Sequence, residues 1–232
     1  MDIQGLQKLT LLDFPEHTAC TVFLGGCDFR CSFCHNFELV EGHVPPYMTE
    51  DEFFAFLGRR HGLLDGVAIT GGEPCLRRDL PDFIRRIKAS GFLVKLDTNG
   101  NHPELLRLLL DERLVDYVAM DVKNSPAKYA RTIGLESFDV SKVDESIRML
   151  LSGDAEYEFR TTVSDRFHTA EDFTEIGKWI EGAERYFIQA FTDRDMVPDH
   201  SLKAPPAEVL REYAAIVRPF VKRAELRGVD DN

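Results

Sequence analysis

The chain has 232 residues, of which 44% are hydrophobic and 29% are charged, and these proportions are typical of an ordinary globular protein. Its formal net charge of −12 at pH 7 argues against an extended nucleic-acid-binding surface, which needs many lysines and arginines opposite phosphates. No stretch approaches the ~20 apolar residues of a membrane-spanning helix, and the first residues do not resemble a secretion signal. We therefore expect a cytoplasmic protein with neither nucleic-acid nor membrane partners.

Six short, β-rich runs alternate with six helical segments along the chain. The runs are nearly continuous in apolar character, as expected for parallel strands covered on both faces, and they lie at 19–25, 66–70, 92–97, 115–121, 157–163 and 185–190. Helical patterns begin after Thr49 and Asp79 and continue at 102–112, 142–152, 169–181 and 206–218. This order predicts an α/β fold with a parallel sheet and right-handed crossovers, in a single domain over residues 1–232. Six units can form part of a barrel or an open doubly wound sheet, and periodicity does not separate the two.

Several helix ends carry recognisable signals. Thr49 and Glu52 are spaced as a capping box, in which each residue's side chain bonds to the other's backbone amide. Asp79 and Pro81 mark the start of the next helix, and Gly91 can end it in the left-handed conformation. Gly153 is expected to stop a later helix.

Glycine-rich and polar segments follow the predicted strands. They include the loop 25–36, the Gly-Gly-Glu-Pro segment 71–74 and the Asp-Thr-Asn-Gly segment 97–100. Single polar residues lie along the later strands: Asp121 and Lys123 at and after the end of the fourth, Arg160 within the fifth, and Gln189 near the end of the sixth. Sites in parallel α/β folds are built at the carboxyl ends of the strands. The sequence thus predicts a functional site at one end of the sheet.

Three of the five cysteines, Cys27, Cys31 and Cys34, lie within eight residues on the loop 25–36. Thiolates are soft ligands that select zinc, copper(I) or iron–sulfur clusters. A structural zinc site normally has four protein ligands, and only one C-x2-C pair is present, although His35 could serve zinc. Three cysteines on a four-iron cluster would leave one iron without a protein ligand, which is typical of a catalytic metal site.

The spacing C-x3-C-x-aromatic-C, with Phe33 as the aromatic residue, resembles the defining motif of the radical S-adenosylmethionine superfamily. With His35 and Asn36 following, the chain is similar to glycyl-radical-enzyme activating enzymes, and above all to the activating proteins of anaerobic ribonucleoside-triphosphate reductase. The resemblance extends through the segments 71–74 and 97–100 to Asp121 and Lys123. It implies a partial (β/α)6 barrel.

The resemblance also implies the cofactors and their contacts. A 4Fe-4S cluster on the three cysteines would bind S-adenosylmethionine through its open iron. Phe33 would lie near the adenine, and the segment Gly71, Gly72, Glu73, Pro74 would contact the methionine amino group through its backbone. Glycine suits that role because a backbone without Cβ can approach a ligand closely.

Further contacts are implied around the same cofactor. Asp97, Thr98 and Asp121 would bind a monovalent cation, and two carboxylates at one edge would otherwise repel each other. The remaining cofactor contacts are Asp97, Thr98, Asn99, Lys123, Arg160 and Gln189. Arg160 as a structural ion pair and Lys123 as a solvated lysine are the simpler alternatives.

The implied activity is reductive cleavage of S-adenosylmethionine to a 5′-deoxyadenosyl radical, which takes a hydrogen from a glycine Cα of a glycyl radical enzyme. Flavodoxin or ferredoxin would donate the electron. Two alternatives remain open: a small-molecule enzyme similar to 7-carboxy-7-deazaguanine synthase, and a non-catalytic iron–sulfur module.

Four residues receive no role in the proposed chemistry. Cys20 and Cys75 are expected to be buried in the core. His35 is expected to shape the cysteine loop. Glu16 stands where relatives carry glycine, and a different backbone is expected there because glutamate lacks glycine's freedom.

Overall fold

The computed structural model describes residues 1–41 and 44–229. Within these residues the strands are β1 (Asp2–Ile3), β2 (Gly5–Thr10), β3 (Ala19–Leu24), β4 (Met48–Thr49), β5 (Gly66–Gly71), β6 (Leu93–Thr98), β7 (Tyr117–Asp121), β8 (Glu156–Val163), β9 (Tyr186–Ala190) and β10 (Ala224–Arg227). The α-helices are α1 (Phe37–Val40), α2 (Glu50–Gly58), α3 (Leu80–Ala89), α4 (Pro103–Asp111), α5 (Tyr129–Thr132), α6 (Ser141–Ser152), α7 (Ala170–Trp179) and α8 (Ala207–Val217). None of the helices in this part of the chain is long and apolar enough to cross a membrane.

The main sheet has eight strands in the order β10-β9-β8-β7-β6-β5-β3-β2. The pairs β3/β5, β5/β6, β8/β9 and β9/β10 are parallel, whereas the edge strand β2 runs antiparallel to β3. β1 and β4 form a separate antiparallel pair. The prediction of an α/β fold with a mostly parallel sheet is confirmed.

All six predicted strands and six predicted helices are present, and their ends differ from the predictions by a few residues. The sequence did not indicate β2 or β10. β2 (GLQKLT) is largely exposed on one edge of the sheet, and β10 (AELR) is half-buried along its length, so neither has a continuous apolar run. Strands of this kind are recognised by their pairing partners rather than by their composition.

The helix ends follow the expected chemistry with one exception. The capping box of Thr49 and Glu52 is formed, and Gly91 has φ = +81°, as a left-handed helix end requires. Asp79 precedes α3 but its side chain makes no capping hydrogen bond, because its backbone is already helical. A second capping box, between Thr169 and Asp172, begins α7.

Residues of the chain cluster into two compact units. Unit 1 comprises Met1–Asp28, Glu38–Thr98 and His102–Val118, and unit 2 comprises Phe29–Phe37, Asn99–Asn101 and Ala119–Asn232. In unit 1, Phe53 of α2 and Phe83 of α3 are buried with ring centroids 5.4 Å apart. In unit 2, the ring of Phe173 in α7 stacks on that of Tyr213 in α8, with 4.3 Å between the ring centroids. Each aromatic side chain buried in this way stabilises its unit by about 1.5–3 kcal/mol.

Glu16 adopts φ = +65°, the left-handed conformation that glycine adopts without strain. Glu16 thus adopts, at a steric cost, a conformation that suits glycine better, and the expected difference from its relatives stays a prediction. Its neighbours explain the conformation. Phe14 is buried against Tyr117 and His17, and the amide of His17 donates to the carbonyl of Phe14 at 3.2 Å, so the turn is held from both sides.

We expect Glu16→Gly to stabilise the protein by about 1 kcal/mol, because glycine relieves the strain of the positive φ and this gain exceeds its greater freedom in the unfolded chain. Urea unfolding measures the change. Glu136→Gly is the matched control, since Glu136 lies in a bend without a positive φ and glycine there should destabilise. Equal effects of the two substitutions would contradict the prediction.

Candidate cofactor site

The first half of the cysteine loop belongs to unit 1 and is fixed by backbone hydrogen bonds. The amide of Gly26 donates to the carbonyl of Leu39 at 2.7 Å, and the amide of Cys27 donates to the carbonyl of Val40 at 3.1 Å. The Gln4 side chain accepts from the amide of Gly25 at 2.7 Å. The loop leaves β3 with φ = +94° at Gly26 and is held by hydrogen bonds at Gly25, Gly26 and Cys27.

The Gly-Gly-Glu-Pro segment packs directly against this loop. A Cβ on Gly71 would lie 2.2 Å from the carbonyl oxygen of Leu24, and one on Gly72 would lie 2.0 Å from that of Gly26. The close approach lets the amide of Gly72 donate to Leu24 and the amide of Glu73 donate to Gly26, at 2.9 and 2.7 Å. These glycines are therefore required first for backbone packing within the protein, in addition to any approach of a ligand.

Glu73 joins two of the motifs that the sequence analysis identified. Its carboxylate is 1% exposed and accepts from the Thr98 hydroxyl at 2.8 Å and from the Cys75 amide at 2.9 Å. Cys75 is also buried, and burial raises the pKa of its thiol well above the usual value. Cys75 thus lies where the core was expected to hold it, beside the motif. The Glu73 side chain positions Thr98 and the turn after β5 through contacts within the protein.

Asp97 has a partner that sequence reasoning missed. Lys95 lies two residues earlier on the same face of β6, is 2% exposed, and forms an ion pair with Asp97. A lysine within an otherwise buried strand is a signal that could have been read, because buried lysines are almost always paired. His102 was also missed: its Nε2 lies 3.1 Å from Asp28, the residue after Cys27.

The second half of the cysteine loop belongs to unit 2. Cys31 and Phe33 are buried, and the Phe33 ring contacts Phe167 at a centroid distance of 5.8 Å. The amide of Arg30 donates to the carbonyl of Ile133 at 2.8 Å. Gly134 makes this contact possible, since it has φ = +74° and a Cβ there would lie 2.3 Å from the Arg30 carbonyl oxygen.

His35 contributes to the shape of the loop, as expected. Its Nε2–H donates to the carbonyl of Thr192 at 2.7 Å. Its ring stacks on Phe191, with 5.9 Å between the ring centroids. Burial lowers the pKa of His35, so the neutral ring is favoured. The Asp199 amide also donates to the carbonyl of Ser32, at 3.2 Å, so the segment after β9 holds this half of the loop at two points.

Asp121, Lys123 and Arg160 form a charge cluster in unit 2. Lys123 Nζ donates to Asp121 at 2.8 Å, and Arg160 Nε donates to its other oxygen at 3.0 Å. Burial by itself raises the pKa of Asp121, but the charges of Arg160 and Lys123 outweigh it and lower the pKa to about 2. Burial favours neutral Lys123, yet Asp121 and Cys31 raise its pKa above the usual range. All three groups are therefore charged at neutral pH.

The charge cluster affects the pKa values of the two loop cysteines in unit 2, Cys31 and Cys34. Burial raises the pKa of Cys31 to about 12, while the charge of Lys123 opposes the rise. Burial also raises the pKa of Cys34. Since metals bind the thiolate, iron binding at these sulfurs must release their protons, and Lys123 favours the charged form.

The backbone of Lys123 is held by two residues that the sequence did not indicate. His168 Nε2–H donates to the Lys123 carbonyl at 2.9 Å, and the Tyr129 hydroxyl accepts from the Lys123 amide at 3.4 Å. Asn124, directly after Lys123, is fully buried and donates to Thr132 at 2.8 Å. The segment that carries Asp121 and Lys123 is thus rigidly placed.

The two remaining predicted residues are located as follows. Asn99 is buried and its side-chain oxygen accepts from the Asn101 amide at 2.9 Å, which closes the turn after β6. Gln189 is half-buried on β9, where it pairs with Thr162 of β8 and Arg227 of β10. The guanidinium carbon of Arg227 lies 3.4 Å from the centroid of the Phe187 ring.

The donor chemistry of the loop fits an iron–sulfur cluster. All five cysteines lie in the described residues and none forms a disulfide, so the three loop thiols are chemically suited to bind iron. No three His, Cys, Asp or Glu side chains within residues 1–41 and 44–229 are grouped as ligands of a single ion. The monovalent cation at Asp97, Thr98 and Asp121 stays a prediction, and each of these three side chains already has a protein partner.

Comparison with known proteins supports the same assignment. The family model of the radical SAM superfamily matches residues 21–180. A candidate glycyl-radical enzyme activating enzyme of Methanocaldococcus jannaschii is 31% identical over 98% of this chain and 96% of its own length. A 7-carboxy-7-deazaguanine synthase of Koribacter versatilis is 33% identical over 60% of this chain and 58% of its own length. The structure of Streptococcus suis SuiB bound to S-adenosylmethionine shares the fold, with a TM-score of 0.66, 12% identity, and coverage of 90% of this chain and 52% of that one.

We expect Gly72→Ala to displace the loop at Cys27, because the added Cβ would lie 2.0 Å from the Gly26 carbonyl oxygen. Overpacking of this kind costs about 1–3 kcal/mol, so the melting temperature should fall by several degrees. Iron content per chain after anaerobic reconstitution should fall with it. Gly58→Ala is the control, since a Cβ there meets nothing within 4 Å. A normal iron content in Gly72→Ala would contradict the packing role.

We expect Asp121→Asn to destabilise the cluster-free protein by about 3 kcal/mol at pH 7, because Lys123 and Arg160 lose their shared anion. The folded pKa of Asp121 lies below its unfolded value of about 4, so its stabilisation is complete at neutral pH and is lost as the pH falls toward 2. Urea unfolding at pH 7 and pH 3 should show the difference between wild type and variant shrinking at pH 3. Asp82→Asn, at an exposed surface pair, should change stability by less than about 0.5 kcal/mol. A difference that is independent of pH would contradict the assignment.

Proposed function

Because the chain belongs to the radical S-adenosylmethionine superfamily, we propose that it activates a glycyl radical enzyme, with the anaerobic ribonucleotide reductase type as its partner. The observation that carries the proposal is the 31% identity to a candidate activating enzyme over nearly the whole of both chains. The 7-carboxy-7-deazaguanine synthase of Koribacter versatilis matches a smaller share of both chains, and that of Bacillus subtilis matches 88% of this chain and 80% of its own length but at a lower identity of 24%.

The cofactors of this superfamily are a 4Fe-4S cluster and S-adenosylmethionine. In our proposal Cys27, Cys31 and Cys34 hold the cluster and leave one iron open to the amino and carboxylate groups of S-adenosylmethionine. When bound, the cluster and S-adenosylmethionine would together supply the reductive cleavage chemistry whose product removes a hydrogen from a glycine Cα of the partner.

The side chains have separate parts in this proposal. Lys123 and Arg160, which form ion pairs with Asp121, would attract the cofactor carboxylate, and their positive charges support this part of the proposal. The backbone of the segment 71–74 and the buried ring of Phe33 contact the amino group and the adenine. Asn99 and Gln189 supply amide groups to the ribose or the nucleobase. None of these residues has to act as a general acid or base, because the cofactor performs the bond cleavage.

The partners and compartment follow from the same chemistry. Flavodoxin or ferredoxin is the proposed donor of the single electron. Thiolate ligands and a protein electron donor require a reducing compartment, so the cytoplasm is the proposed location.

One specific observation favours a second candidate function. The 33% identity to a 7-carboxy-7-deazaguanine synthase over 141 residues keeps a small-molecule substrate in contention. The cysteine motif and the glycine-rich segment belong to cofactor binding in both functions, so they do not separate the two substrates.

We expect the anaerobically reconstituted, reduced protein to form 5′-deoxyadenosine from S-adenosylmethionine. With purified anaerobic ribonucleoside-triphosphate reductase from the same organism, electron paramagnetic resonance should show a glycyl radical on the reductase. A reductase variant whose radical glycine is replaced by alanine should show none. A parallel reaction should contain the substrate of the 7-carboxy-7-deazaguanine synthases.

Cys31→Ser is the matched control, since it removes one cluster ligand by exchanging sulfur for oxygen, and it should abolish both signals. Formation of 7-carboxy-7-deazaguanine without any glycyl radical would replace the proposed function with the second candidate. Absence of 5′-deoxyadenosine from a fully loaded wild-type protein would contradict both functions.

A further inference from the structure

Lys95 is a buried lysine that lies outside every motif of the sequence. Its side chain is 3% exposed, and among residues 1–41 and 44–229 the one partner of its ammonium is the Asp97 carboxylate. Ala68, its neighbour on β5, has no polar side-chain group that could take part. Burial of a lysine is unfavourable unless its charge is compensated, so the pair with Asp97 is what stabilises the ammonium here.

The two members of this pair differ in their exposure. Side chains two residues apart point to the same face of a strand, so Lys95 and Asp97 share one face of β6. Asp97 is nearer to the carboxyl end of the strand, and its side chain is 19% exposed against 3% for Lys95. A molecule bound at this end of the sheet can therefore reach the Asp97 carboxylate, while the lysine neutralises that carboxylate from inside the protein.

Thr98, the second predicted ligand of a monovalent cation in unit 1, is engaged elsewhere. It follows Asp97 directly and so lies on the opposite face of β6, where its hydroxyl donates to the buried Glu73 carboxylate at 2.8 Å. An added cation at Asp97 would also lie close to the ammonium of Lys95, and two like charges beside one carboxylate repel each other.

The third predicted ligand, Asp121, has its own cations within unit 2. Lys123 Nζ lies 2.8 Å from one of its oxygens, and Arg160 Nε lies 3.0 Å from the other. Both predicted carboxylate ligands are thus compensated by side chains of their own units. A monovalent cation would add positive charge where the protein already supplies it.

We propose that the ammonium of Lys95 takes the place of the monovalent cation at Asp97, so that the protein binds S-adenosylmethionine without potassium or sodium. The inference rests on the proposed contact of Asp97 with the cofactor. An ammonium and an alkali cation carry the same charge, and both suit carboxylate oxygens, but the lysine belongs to the chain and its occupancy does not depend on ion concentration. Lys95 is a positioning residue, since it acts through Asp97.

Isothermal titration of the cluster-loaded protein with S-adenosylmethionine tests the proposal in two buffers of equal ionic strength, one with potassium chloride and one with tetramethylammonium chloride. The wild-type Kd should be the same in both. Lys95→Met keeps an apolar stem and removes the charge, so in tetramethylammonium its Kd should be about 10-fold higher, because uncompensated Asp97 repels the cofactor carboxylate. Potassium should restore most of the affinity by occupying the place of the ammonium.

A second measurement does not involve the cofactor. Without cluster and S-adenosylmethionine, Lys95→Met should melt at a lower temperature than wild type in tetramethylammonium, because Asp97 has lost its buried partner. Its melting temperature should rise when potassium replaces tetramethylammonium, since an ion that binds only the folded protein stabilises it. The wild-type melting temperature should be equal in the two buffers.

Lys88→Met is the matched control, because it removes another lysine–aspartate pair of unit 1. Lys88 Nζ lies 2.6 Å from Asp116, and the Asp116 carboxylate accepts from the amide of Val94 near the start of β6, away from Asp97. The variant should lose some stability equally in both buffers and keep the wild-type Kd.

A wild-type Kd that is lower in potassium than in tetramethylammonium would overturn the proposal, because the protein would then use an alkali cation. An affinity loss in Lys95→Met that potassium does not reverse would also overturn it, since the lysine would then be a structural residue. If the variant does not fold, the wild-type comparison decides alone. Failure of wild type to bind S-adenosylmethionine would contradict the proposed cofactor contacts instead, and the melting temperatures would still test Lys95. Neither result bears on the glycyl radical substrate.

Discussion

The backbones of Gly71 and Gly72 lie against the backbone of residues 24–26 at a distance that only glycine allows. This contact carries two hydrogen bonds and joins the end of β5 to the loop that leaves β3. Glu73 extends the connection to Thr98 at the end of β6. Three neighbouring strand ends in unit 1 are thus bonded to one another, and the position of Cys27 depends on that packing.

Charge neutralisation is the second constraint on the candidate site. Buried charges are stable only with partners, and the two carboxylates identified from sequence each have a protein cation: Asp97 has Lys95, and Asp121 has Lys123 and Arg160. These pairs keep Lys123 and Arg160 charged and in place before any cofactor binds.

Cofactor chemistry and substrate choice have different determinants in this fold. The residues that identify the family are the ones proposed to bind the cluster and S-adenosylmethionine, and one fold with such a site can carry different activities. The fold likeness to SuiB, at 12% identity, therefore carries no information about the substrate. The relationship to a candidate activating enzyme extends over 98% of this chain and so includes loops outside the cofactor motifs.

The amino-acid sequence by itself determined the α/β class and the six strands and helices, and it predicted the cysteine ligand set, because apolar runs, caps and motif spacing are local properties of the chain. Through the family resemblance it also predicted Asp121 as a cation contact and Lys123 and Arg160 as cofactor contacts, among other residues at the same end of the sheet. Tertiary structure alone decided their pairing, the role of Lys95 and His168, the edge strands β2 and β10, and the glycine conformation of Glu16. Those features depend on contacts between residues far apart in the chain, or on a turn held by its surroundings, and local composition does not encode either.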